Sequence, residues 1–160
     1  MRLQPLQEFV CDTCGDVISS PDQGWVEWLS DGDRMTHSFR IIHKFNGRCA
    51  HHERKLNHQG TGLTSFVGDG PDSLTYLYAI LDEGYIVEQP NDTPMVRDIK
   101  EWAELARRVS LPHYEQARRY LPRARAEGHL DGLHEGSLYL QDTLRMVIDL
   151  YADDDSLGTA

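Results

Sequence analysis

The stretch Cys11-Asp12-Thr13-Cys14-Gly15, taken together with Cys49-Ala50-His51-His52, decides the fold of the first part of this chain. The first stretch is a C-x-x-C-G turn that points two sulfurs inward, and the second places a histidine three residues after a cysteine. Zinc binds four nitrogen or sulfur ligands tetrahedrally, and two such pairs separated by about one β-hairpin are typical of a structural zinc site. The sequence therefore predicts a Zn²⁺ ion bound by Cys11, Cys14, Cys49 and one histidine.

The fourth ligand stays open among three histidines near the third cysteine. His52 follows Cys49 at the spacing of the first cysteine pair, and it is the preferred ligand. His43, on the strand that leads toward Cys49, and His51 are the alternatives. A site of three cysteines and one histidine leaves no position for an activated water, so the predicted ion is structural. Such an ion contributes folding free energy to a hairpin module that is too small to bury enough apolar surface.

The segment between the two cysteine turns has the composition of a β-hairpin. Residues 24–29 and 38–45 are rich in aromatic and β-branched side chains, and residues 30–33 supply the turn between them. Alternation along the second strand places His43 on the same face as Ile41. A metal turn, a hairpin and a second metal turn together predict a zinc-ribbon-like module.

The remainder of the chain has the periodicity of helices. Apolar spacing, prolines and capping residues predict helices over about 70–81, through 99–109, from Pro112 to about 125, and over 138–151. The glycine-rich piece at 60–70 matches no phosphate-binding loop, since it lacks the lysine, and it is interpreted as a flexible connection. The pattern predicts three or four helices.

These elements define the expected fold class and domain organisation. The fold is predicted to be α+β, with a zinc-bound β-hairpin module at 1–60 followed by a small helical bundle at 61–152 that packs on it. Residues 153–160 are small and acidic and are expected to form a disordered tail.

Charge is unevenly distributed and limits the possible partners. The net charge is −10, which repels nucleic acid overall, but residues 97–127 carry 8 basic against 5 acidic side chains. Any nucleic-acid binding would therefore use this stretch.

The cellular compartment is predicted from the cysteines and from hydropathy. Three cysteines cannot all pair as disulfides, and a C-x-x-C turn favours a reducing compartment. No apolar stretch approaches the roughly 20 residues of a membrane span, and the first residues lack the hydrophobic core of a signal peptide. We therefore expect a cytoplasmic protein that does not bind membranes.

The first 60 residues carry a pattern that resembles a group of uncharacterised bacterial proteins. The pattern runs from Cys11-x-x-Cys14-Gly15 through Gly24-Trp25-Val26-Glu27-Trp28 and Phe39-Arg40-Ile41-Ile42-His43 to Cys49-x-x-His52-Glu53. These proteins have an N-terminal zinc-ribbon or zinc-knuckle-like segment. The resemblance implies a metal site and no particular activity.

The favoured function is that of a non-enzymatic, zinc-binding interaction or regulatory protein whose partner is another protein. The metal would hold the hairpin rigid so that its surface can engage the partner. Catalytic residues are not assigned, because each cysteine is better used as a metal ligand. Whether the protein is an enzyme stays open, with the non-enzymatic interpretation preferred.

Two alternatives belong to other classes. One is a helix-turn-helix-like regulator that binds DNA through residues 97–127, with Arg118 and Arg119 on phosphates and Gln116 as the main candidate for reading bases. The other is an HNH-like nuclease in which His43 acts as general base beside a second divalent ion, with Asn46 and His58 nearby.

Overall fold

A computed structural model shows a mixed α+β architecture and describes residues 1–44, 48–50, 57–68, 72–82, 94–134 and 136–153. The strands are β1 (Phe9–Val10), β2 (Val17–Ile18), β3 (Gly24–Ser30), β4 (Thr36–His43) and β5 (His58–Gly62). The α-helices are α1 (Ser73–Asp82), α2 (Ile99–Ser110), α3 (Tyr114–Ala117), α4 (Leu121–Ala126) and α5 (Gln141–Tyr151). Short 3-10 turns cover Pro21–Gln23, Leu63–Ser65 and Ser137–Tyr139.

The predicted hairpin is confirmed as an antiparallel β3–β4 pair. Val26 lies opposite Ile41 and Gly24 opposite His43, and the register shifts between Glu27 and Leu29. Both faces of β3 are covered, because consecutive residues of a strand point to opposite faces and Val26 through Ser30 are all buried.

The third strand of this sheet is β5, which pairs antiparallel with β3 and gives the order β4-β3-β5. The interpretation of residues 60–62 as a flexible connection is therefore wrong. Gly60 lies opposite Glu27, and a Cβ at this position would come within 2.2 Å of the Trp25 indole nitrogen. Gly60 is needed because the Trp25 indole packs directly against this position of β5. The glycine therefore reflects close packing and not flexibility.

The first cysteine turn lies in a hairpin of its own. β1 and β2 pair antiparallel, with Val10 opposite Val17, and the C-x-x-C-G turn joins them. Phe9 and Ile18 at the base of this hairpin are fully buried. The metal turn is therefore anchored to the core by apolar side chains on both of its strands.

The helices begin and end close to their predicted bounds, with one difference after Pro112. α2 is capped by Asp98, whose carboxylate accepts a hydrogen bond from the Lys100 amide at 2.7 Å. The expected helix from 112 to 125 is two short helices, α3 and α4, with a proline at the start of α4. Proline has no amide hydrogen to donate within a continuous helix, so α3 ends before it and α4 begins with the proline in its first turn. Asp92 and Thr93, whose side chains can also cap a helix, lie outside the described residues.

The buried side chains form two clusters. The first, here called the sheet core, runs from Phe9 to Val109 and joins the sheet, the β1–β2 hairpin, α1 and α2. The second, here called the helical core, runs from Tyr114 to Ala152 and joins α3, α4 and α5. Residues on both sides of position 60 share the sheet core. Residues 154–160 of the expected tail lie outside the described part of the chain. Across the described helices, none combines the length and apolar character that crossing a bilayer requires.

Candidate metal centre

Four potential ligands converge at one end of the sheet: Cys11, Cys14, His43 and Cys49. Their donor atoms all lie within 4.8 Å of one another, and the three cysteines are free thiols with no disulfide. Nδ1 of His43 lies 3.6 Å from the Cys14 sulfur and 3.7 Å from the Cys49 sulfur. The four side chains are therefore close enough to bind one metal ion.

The spacing of these atoms can be compared with the geometry of a tetrahedral ion. With metal–sulfur bonds of about 2.3 Å and metal–nitrogen bonds of about 2.0 Å, a sulfur and a nitrogen on one ion lie about 3.6 Å apart. The two sulfur–nitrogen separations in the structure agree with this edge length. His43, Cys14 and Cys49 can thus serve as ligands with little movement of their side chains.

The local fold explains how the first two sulfurs are positioned. The Cys11 amide donates to the Asp16 carbonyl at 2.9 Å, and the Gly15 amide donates to the Cys11 carbonyl at 2.9 Å. Gly15 has a φ of +78°, a left-handed conformation that costs glycine little. The glycine in the C-x-x-C-G pattern therefore permits the turn that brings both sulfurs to the same side.

His43 is the last residue of β4, and a hydrogen bond on its far nitrogen orients its ring. Nε2 lies 3.3 Å from the Val17 carbonyl, a partner that can only accept a hydrogen bond. Nε2 therefore carries the proton, and the lone pair of Nδ1 faces the sulfurs. A carbonyl that fixes the imidazole in this way is a usual partner of a metal-binding histidine.

The third cysteine is held next to the first turn. The Thr13 hydroxyl donates to the Cys49 carbonyl at 2.6 Å, which joins two ligand-bearing segments by a direct bond. Cys11 and Cys49 are each 1% exposed, whereas Cys14 is exposed. The cluster thus lies at the protein surface with one sulfur facing solvent.

The surroundings affect the three thiols differently. Burial opposes ionisation of Cys11, but the backbone amides of Cys14, Thr13 and His43 outweigh it and lower the pKa of Cys11 to about 6. Burial and the two neighbouring sulfurs raise the pKa of Cys49 to about 12. The pKa of Cys14 is also raised, because the Cys11 sulfur and desolvation outweigh the bond from the Asp16 amide. One negative charge is thus favoured, and a cation is required to hold three thiolates together.

The structure therefore unites the three predicted cysteines with one of the three candidate histidines. His43 is the histidine of that trio that the structure describes, and its Nδ1 lies at the sulfurs. His51 and His52 lie outside the described residues, so the preference for His52 stays a prediction. Alternation placed His43 on the same face as Ile41, but the sequence did not show that β4 ends beside the cysteine turn.

Sequence reasoning missed Asp12, the residue between the two cysteines of the first turn. Its amide donates to the Ile41 carbonyl at 2.8 Å, and its carboxylate accepts from the Ile41 amide at 2.7 Å. The same carboxylate accepts from Arg108 at 2.6 Å and from Arg118 at 3.3 Å. Asp12 therefore joins the metal turn both to β4 and to the helical segments.

The basic stretch proposed for DNA contact is engaged within the fold. Arg118 contacts the carboxylates of Glu115 and Asp12. Gln116 is 3% exposed, and its side chain binds the backbone of Met1 and Leu3. A base-reading residue must project from the protein, so Gln116 is not available for that role in this arrangement. Arg119 also makes an interaction within the chain.

The two described histidines of the nuclease alternative lie at opposite ends of β3, since His43 pairs with Gly24 and His58 with Leu29. His43 lies with the cysteines, and Asn46 lies outside the described residues. His58 lies on β5, where its Nε2 is 3.4 Å from the fully buried carboxylate of Glu27, at ion-pair distance but without hydrogen-bond geometry. The described residues of the nuclease alternative therefore do not place a general base next to a site for a second divalent ion.

Comparison of the chain with protein-family models, with curated proteins and with solved structures finds no match. The function must therefore be argued from the geometry of the chain's own residues.

Proposed function

We propose that this protein binds one structural Zn²⁺ ion through Cys11, Cys14, His43 and Cys49 and acts as a non-enzymatic interaction or regulatory protein. The observation that supports the metal site best is the separation of His43 Nδ1 from two cysteine sulfurs, 3.6 and 3.7 Å, at the edge length of a tetrahedral ion. The hydrogen bond to the Val17 carbonyl keeps the proton of His43 on Nε2 and leaves Nδ1 free to bind a metal, as expected for a ligand.

The donor set favours zinc over other ions. Three thiolates and an imidazole are soft or borderline ligands, which suit zinc and exclude magnesium and calcium. Zn²⁺ has no redox chemistry, and its filled d shell imposes no geometry that would oppose a tetrahedral arrangement of ligands.

A structural role follows from the number of ligands and from what they join. Four protein ligands fill the coordination shell and leave no position for an activated water. The ligands come from the β1–β2 turn, the end of β4 and the segment at Cys49, which are separated by up to 38 residues (49 minus 11). An ion that joins three such segments stabilises the native arrangement of the sheet core.

The interaction role is supported by charge and by exposed side chains. The net charge of −10 disfavours nucleic acid, and Arg108 and Arg118 form ion pairs inside the protein. Tyr76 and Tyr78 on α1 are 52% and 57% exposed, and large exposed aromatic side chains are typical anchors of protein contacts.

The test is elemental analysis of the purified protein, with thermal unfolding measured before and after chelation. We expect about one zinc per chain and a large loss of thermal stability when the metal is removed. Absence of metal, or an unchanged melting temperature after chelation, would reject the structural site. In parallel, duplex DNA is incubated with the protein and added Mg²⁺ or Mn²⁺, and metal-dependent cleavage would reject the non-enzymatic interpretation.

A further inference from the structure

The turn that carries Cys11 and Cys14 is bound to the helical segments by a buried group of charged side chains, here called the Asp12 network. Its members are Asp12, Arg108, Glu115 and Arg118. Arg108 is 4% exposed and Glu115 is 5% exposed, so most of this network is removed from water. Buried charges are tolerated only when each is paired with good geometry, which makes the arrangement sensitive to small displacements.

Arg108 forms the centre of the network. Its Nε and Nη2 donate to the two oxygens of Glu115 at 2.7 and 2.9 Å, and its Nη1 donates to Asp12 at 2.6 Å. Nη2 also donates to the Val10 carbonyl at 3.1 Å. Burial opposes the charge, but the Glu115 and Asp12 carboxylates raise the pKa of Arg108 above its ordinary value. One guanidinium from α2 is thus bound by α3 and by the metal turn.

Glu115 closes the connection from the other side. Its Oε1 accepts a hydrogen bond from the Val10 amide at 2.9 Å, one residue before Cys11. Arg118 then joins Glu115 at 3.1 Å to Asp12 at 3.3 Å. Val10 and Asp12, the two residues that flank Cys11, are therefore both hydrogen-bonded to side chains of α2 and α3.

We propose that metal occupancy and the docking of α2 and α3 on the β1–β2 turn depend on each other, with Asp12 as the positioning residue that couples them. This inference rests on the proposed metal site. The metal fixes the conformation of the Cys11–Cys14 turn, and this turn presents the Asp12 carboxylate to Arg108 and Arg118. Without the ion the turn is freer, Asp12 leaves its position, and Arg108 retains only Glu115 as its carboxylate partner.

Thermodynamic linkage makes the coupling reciprocal. If the metal favours docking of α2 and α3, then docking must raise the affinity for the metal by the same factor. The metal centre of this protein would therefore respond to changes in the helical segments that never touch the ion.

The first test compares hydrogen exchange in the zinc-loaded and metal-free full-length protein. We expect amides in 105–118 to exchange at least about tenfold faster without metal, while amides of α5 at 144–151 change little. Equal exchange at 105–118 in both forms would overturn the coupling and leave zinc binding intact. Loss of protection to the same extent in α5 would also overturn it, because the metal would then act on the whole fold.

The second test measures zinc affinity by competition with a chromophoric chelator. Asp12→Asn keeps the size of the side chain and removes its charge, and we expect a loss of affinity of about tenfold, as for outer-sphere partners of metal ligands. In the Asp12→Asn variant, hydrogen exchange of the amides at 105–118 should also become nearly independent of zinc. Unchanged affinity together with wild-type exchange differences would reject Asp12 as the coupling residue.

Arg118→Gln provides a milder variant if Asp12→Asn folds poorly, since Arg118 is partly exposed at the edge of the network. We expect a smaller loss of zinc affinity, about threefold. The control is Arg145→Gln on α5, which removes an exposed ion pair with Asp142 and should leave affinity unchanged. Equal effects of the two variants would overturn the inference. Failure of the wild-type protein to bind zinc at all would reject the proposed metal site itself.

Discussion

The sheet core and the helical core of this protein are assembled from different kinds of contact. The sheet core joins residues far apart in sequence, such as Phe9 and Val109, and it contains the two buried cysteines, Cys11 and Cys49. The helical core is built within 114–152 from aromatic and aliphatic side chains such as Leu144. The difference teaches that one core gathers distant segments around the proposed metal site, whereas the other depends on apolar packing along a short piece of chain.

Removal of one buried ligand should have the largest effect and should affect the sheet core first. Cys49→Ser is expected to abolish stoichiometric zinc binding and to lower the free energy of unfolding by about 4 kcal/mol or more, because the metal no longer joins its three segments. Elemental analysis and chemical denaturation measure both quantities. A variant that keeps one zinc per chain and wild-type stability would show that Cys49 is not a ligand.

The identity of the histidine ligand is decided by a matched pair of variants. His43→Ala should lose zinc and destabilise the protein nearly as much as Cys49→Ser, because its Nδ1 lies at two sulfurs. His52→Ala should retain zinc and serves as the control. The opposite pair of results would restore the ligand that the Cys49-x-x-His52 spacing predicts.

A cavity-forming substitution in each core should affect zinc binding differently. Leu144 is fully buried, and Leu144→Ala is expected to cost about 3 kcal/mol of unfolding free energy while leaving zinc content unchanged. Ile41→Ala, at an equally buried position of the sheet core, should cost a similar amount and also weaken zinc retention. Equal loss of zinc in both variants would contradict the distinction between the cores.

Zinc binding should release protons, and their number tests the electrostatics of the thiols. At pH 7 Cys11, with a pKa of about 6, is mostly ionised, while Cys14 and Cys49 have raised pKa values and hold their protons. Binding should therefore release about two protons per ion, and affinity should fall as the pH is lowered because protons compete for the sulfurs. Calorimetry in buffers of different ionisation enthalpy counts them. Release of none would contradict this ordering of the thiols.

The smallest effect is expected at the entry to the helical core. His113 has a φ of +67°, a left-handed conformation that is costly for a residue with a Cβ. His113→Gly relieves this strain but also loosens the unfolded chain, so a net gain of about 0.5 kcal/mol is expected. Thermal unfolding measures it, and zinc content should not change. A clear loss of stability would show that contacts of the imidazole outweigh the strain.

Local sequence predicted those features that local physics controls. Alternating aromatic and β-branched residues predicted the β3–β4 hairpin, and apolar spacing at helical period predicted α2 and α5. The three cysteines of the site followed from their spacing alone. The α+β class was therefore accessible from the sequence.

The remaining features depend on contacts between distant residues. β5 contains two glycines and no β-branched residue except Thr61, so its pairing with β3 has no local signal. Proximity of His43 to the sulfurs depends on where β4 ends in space, which sequence spacing does not measure. The contact of Asp12 with Arg108 joins residues 96 positions apart. Domain bounds at residue 60 and the compartment of the protein stay predictions.

The exposed position of Cys14 has a consequence for how quickly the proposed zinc site would exchange its ion. Cys11 and Cys49 are covered by the core, so Cys14 is the sulfur of the proposed site that an incoming chelator or thiol meets at the surface. Detachment of this one sulfur opens a coordination position while the other three donors stay in place. Exchange should then follow the local opening of a five-residue turn, on a timescale far shorter than that of unfolding, and a tightly held ion can still pass to an acceptor that reaches this edge.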